Sequence, residues 1–204
     1  MLKYSKCKSF KRGDNLKKIS KNFTCKPIKN RKTIEKIFLI AEIKNQRLLC
    51  MIKLQLNLGL RISDIVKLKV SDFENDHVYI KEKKTDKYNR IKINDELKKF
   101  IQEYIYRNEL KLSDYLLQSR KGENQHITTR QANRDLEYIK EKLKLEYFSS
   151  HSLRKTFGYF AYMQSKGNLP LLMKRFNHSS QAMTLRYIGI EQEQLDDLAE
   201  LVSF

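Results

Sequence analysis

The chain has no tryptophan, three cysteines, two prolines and six glycines in 204 residues. Each scarcity excludes something. Cys7, Cys25 and Cys50 are odd in number and form no C-x-x-C pair, which argues against a disulfide framework or a thiolate zinc site and fits a reducing cytoplasm. So few glycines leave no Gly-rich phosphate cradle, and so few prolines exclude a Pro-rich or collagen-like chain. Long apolar runs are missing as well. The longest, such as residues 37–41, span five residues, whereas a membrane helix takes about 20. The N-terminus carries no apolar stretch of the kind a secretory signal needs. Acidic residues are scarce too: 24 Asp and Glu face 42 Lys and Arg, for a net charge of +18. That imbalance points to a polyanionic partner, nucleic acid ahead of an anionic membrane surface.

What is present is unevenly distributed. Residues 1–32 hold ten Lys and two Arg against the single acid Asp14, a balance of +11 that leaves +7 for the rest of the chain. With few apolar residues and no period, this segment reads as a flexible basic arm able to neutralise DNA phosphates. The other end is acidic. Glu191, Glu193, Asp196, Asp197 and Glu200 flank an apolar stripe of Leu195, Leu198, Ala199 and Val202. Residues 190–204 therefore read as an amphipathic helix that packs on its own domain or docks on a neighbouring copy.

Between these ends the periodicity predicts a mainly α protein with a small antiparallel β-sheet, an α+β fold. A helix capped by Thr33 should come first, then one over 45–58 stopped by Gly59, then a short one over 62–68. Alternating residues at 77–80 and 90–93 flank a polar turn and predict a hairpin. Asn94 and Asp95 should cap a helix reaching residue 108, and residues 115–117 suggest a third short strand. Further helices are expected over 129–145, over 151–164 with Ser150 as cap, over 169–176 and over 180–187.

Four segments carry chemistry: Leu58-Gly59-Leu60-Arg61-Ile62-Ser63-Asp64, the hairpin turn with Lys84-Thr85, His151-Ser152-Leu153-Arg154, and Asn177-His178-Ser179-Ser180 leading to Tyr187. Arg154 lies one helical turn after His151, so both can reach one phosphate. Two guanidiniums can clamp a phosphate bidentately, because Arg is a planar and permanently charged fork. No carboxylate cluster suited to Mg²⁺ is evident, which is consistent with chemistry that uses no metal.

Taken in order, these segments make the chain resemble the tyrosine recombinase (phage integrase) family. The likeness covers a catalytic domain over residues 33–204 without the usual N-terminal core-binding domain. The resemblance implies a site-specific recombinase or integrase that cleaves and rejoins DNA by transesterification through a 3′-phosphotyrosyl link, with no metal or other cofactor. It implies Tyr187 as nucleophile, His151 as proton acceptor, Arg61 and Arg154 as phosphate clamps and His178 as donor to a non-bridging oxygen. Lys84 would protonate the leaving 5′-oxygen, though Lys81, Lys83 and Lys87 stand beside it. Asp64 would orient Arg61 from behind. Asn177 stands where the family usually has Gly, and Asn also tolerates a left-handed backbone. Arg130 and Arg134, on a helix that the family lays in the major groove, are candidate DNA contacts, as are Lys155, Lys174 and Arg175. The implied partners are double-stranded DNA and three further copies, a tetramer on two DNA sites, with no membrane. A DNA-binding regulator with a vestigial site and a type IB-like topoisomerase are the competing readings.

Overall fold

The computed structural model describes residues 25–81, 88–190 and residue 200. Helix α1 (Arg31–Lys44) begins where Asn30 accepts a hydrogen bond from the Lys32 amide. This start lies two residues ahead of Thr33, because the first turn is solvent-facing and so adds nothing to the apolar period that marks the helix in sequence. Asn45 ends α1 and opens α2 (Gln46–Leu58), with its side chain accepting from the Leu48 amide. Helix α2 is the axis of the domain: Leu48, Leu49, Cys50, Met51, Ile52, Leu54 and Leu58 are all buried on it, and it packs against α1 and, further along the chain, against residues 95–107 and 150–164. It stops at Gly59, which is left-handed at φ 60° and ψ 25°.

Helix α3 is a single turn (Ile62–Ile65), shorter than expected, and a 3-10 turn (Val70–Phe73) follows it. The hairpin forms as the alternation predicts: β1 (His77–Lys81) pairs antiparallel with β2 (Tyr88–Lys92), Val78 opposite Ile91. Val78 and Ile80 face the core while Tyr79 and Lys81 face out. The intervening turn, with Lys84, lies outside the described residues. Asn94 caps α4 (Asp95–Arg107). Residues 115–117 make no third strand. Tyr115 forms one isolated bridge to Lys69, and Leu116 and Leu117 are both fully buried. A segment that buries consecutive side chains threads through the core instead of alternating across a sheet.

The remaining helices are α5 (Thr129–Leu143), α6 (Ser150–Gln164), α7 (Leu169–Phe176) and α8 (Gln181–Ile188). The cap of α6 is Ser149 and not Ser150, whose residue is buried. The Ser152 hydroxyl accepts from the Ser149 amide at 3.2 Å and donates to the Tyr147 carbonyl at 2.7 Å, locking the start of α6. Asn177 ends α7 at φ 56°, the left-handed conformation that Asn tolerates. A second small core of Leu172, Phe176, Ile188 and Ile190 joins α6, α7 and α8. No helix among the described residues is long and apolar enough to cross a membrane.

Residues 25–30 run as an extended strap over α6 and the end of α8. The Ile28 amide donates to Thr156 Oγ1 at 2.7 Å, Lys29 Nζ donates to the Gly189 carbonyl at 2.9 Å, and Lys155 Nζ donates to the Cys25 carbonyl at 2.7 Å. The last eight residues of the basic segment are thus part of the folded body. Residues 1–24, 191–199 and 201–204, with most of the basic arm and acidic end read from sequence, lie outside the described residues.

Gly59 is required twice over. Its φ is left-handed, and a Cβ there would lie 2.2 Å from the Phe157 ring. Gly59→Ala should therefore lose about 2 kcal/mol or more in urea unfolding, from backbone strain and overpacking together. A loss below about 0.5 kcal/mol would show that the turn accommodates a side chain.

Candidate active site

The site grows from the turn after α2. Arg154 on α6 is only 5% exposed. Its Nη1 donates to the Gly59 carbonyl at 2.7 Å, and its guanidinium lies 4.7 Å from the centre of the Phe176 ring. Two residues beyond Gly59, Arg61 opens α3, and its carbonyl accepts from the amides of Asp64 and Ile65. That bonding fixes the Arg61 backbone and leaves a half-buried side chain whose charge is felt at His151, Arg154, His178 and Tyr187. Asp64 accepts from Ser63 Oγ at 3.2 Å, and its charge favours the cationic form of Arg154.

Two imidazoles flank the guanidiniums. His151 sits in the first turn of α6, beside Ser150, whose carbonyl accepts from the buried Gln55 side chain. Burial, then Arg154, Lys155 and Arg61, push its pKa below the usual histidine value. His151 is therefore neutral at pH 7 and able to take a proton. His178 follows Asn177. Its Nδ1 lies 3.1 Å from Thr184 Oγ1, and that hydroxyl donates to the Ser180 carbonyl at 3.1 Å. With the hydroxyl hydrogen committed to Ser180, Nδ1–H is the donor to Thr184 and Nε2 of the neutral ring is bare. His178 can then donate through Nε2 only as an imidazolium. Burial, Arg154 and Arg61 hold its pKa down as well, so a nearby anion is what would charge it.

Tyr187 lies on α8 among these groups. Its ring packs edge-on to His178 at 5.1 Å and to Phe176 at 5.2 Å. Burial raises the phenol pKa, and the neighbouring Arg154 works against that rise. The resting group is a neutral phenol whose oxyanion, once formed, already has a cation beside it. Lys155 places Nζ over the ring, 5.2 Å from its centroid. Lys155 is 7% exposed, and its bond to Cys25 ties it to the strap. A cleft of about 900 Å³ opens there between the strap, residues 144–148 and Tyr187.

The described residues thus bring Arg61, His151, Arg154, His178 and Tyr187 into one cluster, with the charge of Asp64 felt at Arg154. Of the candidate DNA contacts, Arg130, Arg134 and Lys174 are exposed, Lys155 is buried against Tyr187, and Arg175 is turned inward to the Leu58 carbonyl. Arg134 lines a separate cleft of about 850 Å³ with Lys44, Arg47, Arg120 and Lys121. Sequence reasoning gave no role to Thr184, although it lies in the segment leading to Tyr187. It also missed the two phenylalanines, Phe157 and Phe176, on which the guanidiniums rest.

The phage integrase family model matches residues 30–194, a span that contains every member of this cluster. The chain belongs to the phage integrase family. It is 40% identical over 139 residues to the probable integrase/recombinase YoeC of Bacillus subtilis (strain 168), covering 68% of this chain and 75% of that protein. It is 31% identical over 144 residues to a probable integrase/recombinase of Acholeplasma phage L2, covering 67% of this chain but only 47% of the phage protein. Among solved structures, XerA recombinase superposes with a TM-score of 0.68 at 19% identity, covering 86% of this chain and 65% of XerA. The catalytic domain of bacteriophage HP1 integrase gives 0.57 at 20% identity, covering 86% of this chain and 94% of that domain. The fold is that of a tyrosine recombinase catalytic domain. The matched region is less than half of the phage L2 relative and about two thirds of XerA.

Both imidazoles titrate below the unfolded value of about 6.5, so the folded state binds fewer protons. Stability contributed by their neutral forms is present above that pH and falls as pH drops through it toward the folded values. NMR titration should find both below about 6.5, and Arg61→Met should move both upward by removing a neighbouring like charge. Values at 6.5 or above, or no response to the substitution, would contradict the cluster.

Proposed function

We propose that this chain is a site-specific DNA recombinase that breaks and reseals phosphodiesters through Tyr187. The carrying observation is that the Tyr187 ring packs edge-on to His178 with Arg154 opposing the burial of its phenol, while the charge of Arg61 is felt at His151, His178 and Tyr187 alike. A phosphodiester seated there brings its negative charge to the guanidiniums of Arg61 and Arg154. It also raises the pKa of His178, whose Nε2–H then donates to a non-bridging oxygen. The Tyr187 oxygen attacks phosphorus as the phenol proton passes to His151, and Arg154 steadies the charge that develops. The P–O5′ bond breaks as the 3′-phosphotyrosyl bond forms, and Lys84 supplies the proton that makes the leaving group a 5′-hydroxyl. One phosphate ester replaces another, so the energy for resealing stays in the tyrosyl link and no cofactor enters the balance. Attack by a 5′-hydroxyl from a second site runs the steps in reverse and joins the exchanged strands.

The reading is supported by neighbours whose structures are DNA complexes: XerH bound to difH before and after cleavage, and the Tn1549 transposon integrase with transposon right-end DNA. For this chain, Arg130, Arg134 and Lys174 are proposed to meet the DNA backbone or bases, with residues 1–24 adding non-specific phosphate contacts. Lys155 acts instead beside the nucleophile, with Nζ over the Tyr187 ring. Recombination requires four copies on two sites, and the acidic residues 191–204 suit docking on a neighbouring copy, where the cleft beside Tyr187 is lined by Lys26, Lys29, Lys144, Lys155 and Arg186. The working compartment is the cytoplasm of a bacterium or of a phage-infected cell.

The test is a nicked duplex built on inverted repeats flanking the coding sequence, which traps a cleaved strand on the protein. A covalent protein–DNA adduct that disappears in Tyr187→Phe is expected. Arg61→Ala should slow its formation about 100-fold or more, the scale of losing a transition-state charge contact. Joining of two separate sites supports recombination, and relaxation alone supports a topoisomerase. Site-specific binding without adduct would mean a regulator.

A further inference from the structure

The C-terminal end of α2 is held by two arginines at once. The last carbonyls of a helix have no partner within it, and they form the negative end of its dipole. Here Arg154 Nη1 takes the Gly59 carbonyl, and Arg175 Nη2 takes the Leu58 carbonyl at 2.5 Å. Arg175 comes from the last turn of α7, 117 residues away in sequence and three residues before His178. Each guanidinium rests on a phenyl ring: Arg154 lies 4.7 Å from the Phe176 centroid and Arg175 lies 5.6 Å from that of Phe157. The two rings meet edge-on at 6.2 Å, and the Phe157 ring fills the space where Gly59 lacks a Cβ. Turn, rings and cations interlock.

We infer that Arg175 is a positioning residue: by gripping Leu58 while its own helix leads into His178, it sets the distance between the Arg61 turn and the His178–Tyr187 pair. The inference deepens the proposed recombinase reading and rests on it for its catalytic readout. Three observations favour this role over direct phosphate contact. One end of the fork is spent on a carbonyl, one face is covered by Phe157, and burial first, then the charge of the nearby Arg154, already draw the Arg175 pKa down to about 10. Two like charges side by side in a half-buried site are costly. Carbonyl oxygens at a helix C-terminus offset that cost without an anion present. The arrangement therefore exists before DNA arrives, as pre-organisation requires.

The experiment compares Arg175→Met, which keeps the stem and loses the grip, with Arg175→Lys, which keeps one charged donor. Hydrogen exchange of the free protein comes first. The amides of Gly59, Asp64 and Ile65, which close the turn on Gln55 and Arg61, should exchange about tenfold faster in Arg175→Met than in the parent, and close to parent rates in Arg175→Lys. Adduct formation on saturating nicked duplex should fall about tenfold in Arg175→Met, recover largely in Arg175→Lys, and fall no further when Arg175→Met is added to Arg61→Ala. The affinity for duplex should stay within about twofold, with an unchanged salt slope. Unaltered exchange at the turn, or a full independent loss on the Arg61→Ala background, would overturn the inference. Weaker duplex binding with a salt slope reduced by about one would mean that Arg175 contacts phosphate directly. A parent protein that forms no adduct while the exchange effect holds would sink the recombinase reading and leave the positioning role standing. Adduct formation indifferent to Arg175→Met would do the reverse.

Discussion

Everything in the site hangs on a buried guanidinium bonded to a backbone carbonyl: Arg154 to Gly59. A cation that is 5% exposed and has a second arginine as a neighbour is tolerated only with strong compensation. The compensation comes from the negative end of α2, the face of Phe176 and the phenol of Tyr187. That one contact crosses 95 residues and ties the Arg61 turn to α6, the helix that carries His151. The second core, with Phe176 at its centre, then brings α7 and α8 against the same side, which delivers His178 and Tyr187. Packing decides position here, and position decides chemistry.

The cluster is electrostatically unfinished in a consistent direction. Arg61 and Arg154 disfavour the charged forms of both histidines, and Arg154 disfavours the charged form of Arg175. A single anion at the centre reverses each of these penalties at once. In the proposed reaction a neutral His151 accepts a proton, a His178 charged by the anion donates, and the phenol beside Arg154 ionises as it attacks. The roles differ because the surroundings differ, although the two imidazoles share the same cations.

Much of this was legible in the sequence for identifiable reasons. Gly59 after a long apolar helix, the alternation of Val78 and Ile80 opposite Ile91, and the three-residue step from His151 to Arg154 are local patterns, and local patterns survive folding. The failures have a common origin as well. Leu116 and Leu117 look like strand residues, but they are buried on both sides by elements remote in sequence. The Asn30 cap precedes any apolar period, so the pattern starts the helix at Thr33. Lys155 looks like one more surface lysine until the Cys25 carbonyl, from the far end of the chain, accepts a hydrogen bond from its ammonium. Composition assigns residues 25–32 to a loose basic arm, whereas three hydrogen bonds from that strap reach α6 and the end of α8. Contacts made across more than a hundred residues leave no periodic trace.

The central claim is that these cations form one anion site poised around Tyr187. Its most direct test is the thermal midpoint of the free protein in rising inorganic phosphate at fixed ionic strength, against chloride as control. An anion that binds only the folded state must raise the midpoint by mass action. The account predicts a rise specific to phosphate that is absent in Arg61→Ala. A midpoint that follows ionic strength alone in the unaltered protein would contradict it.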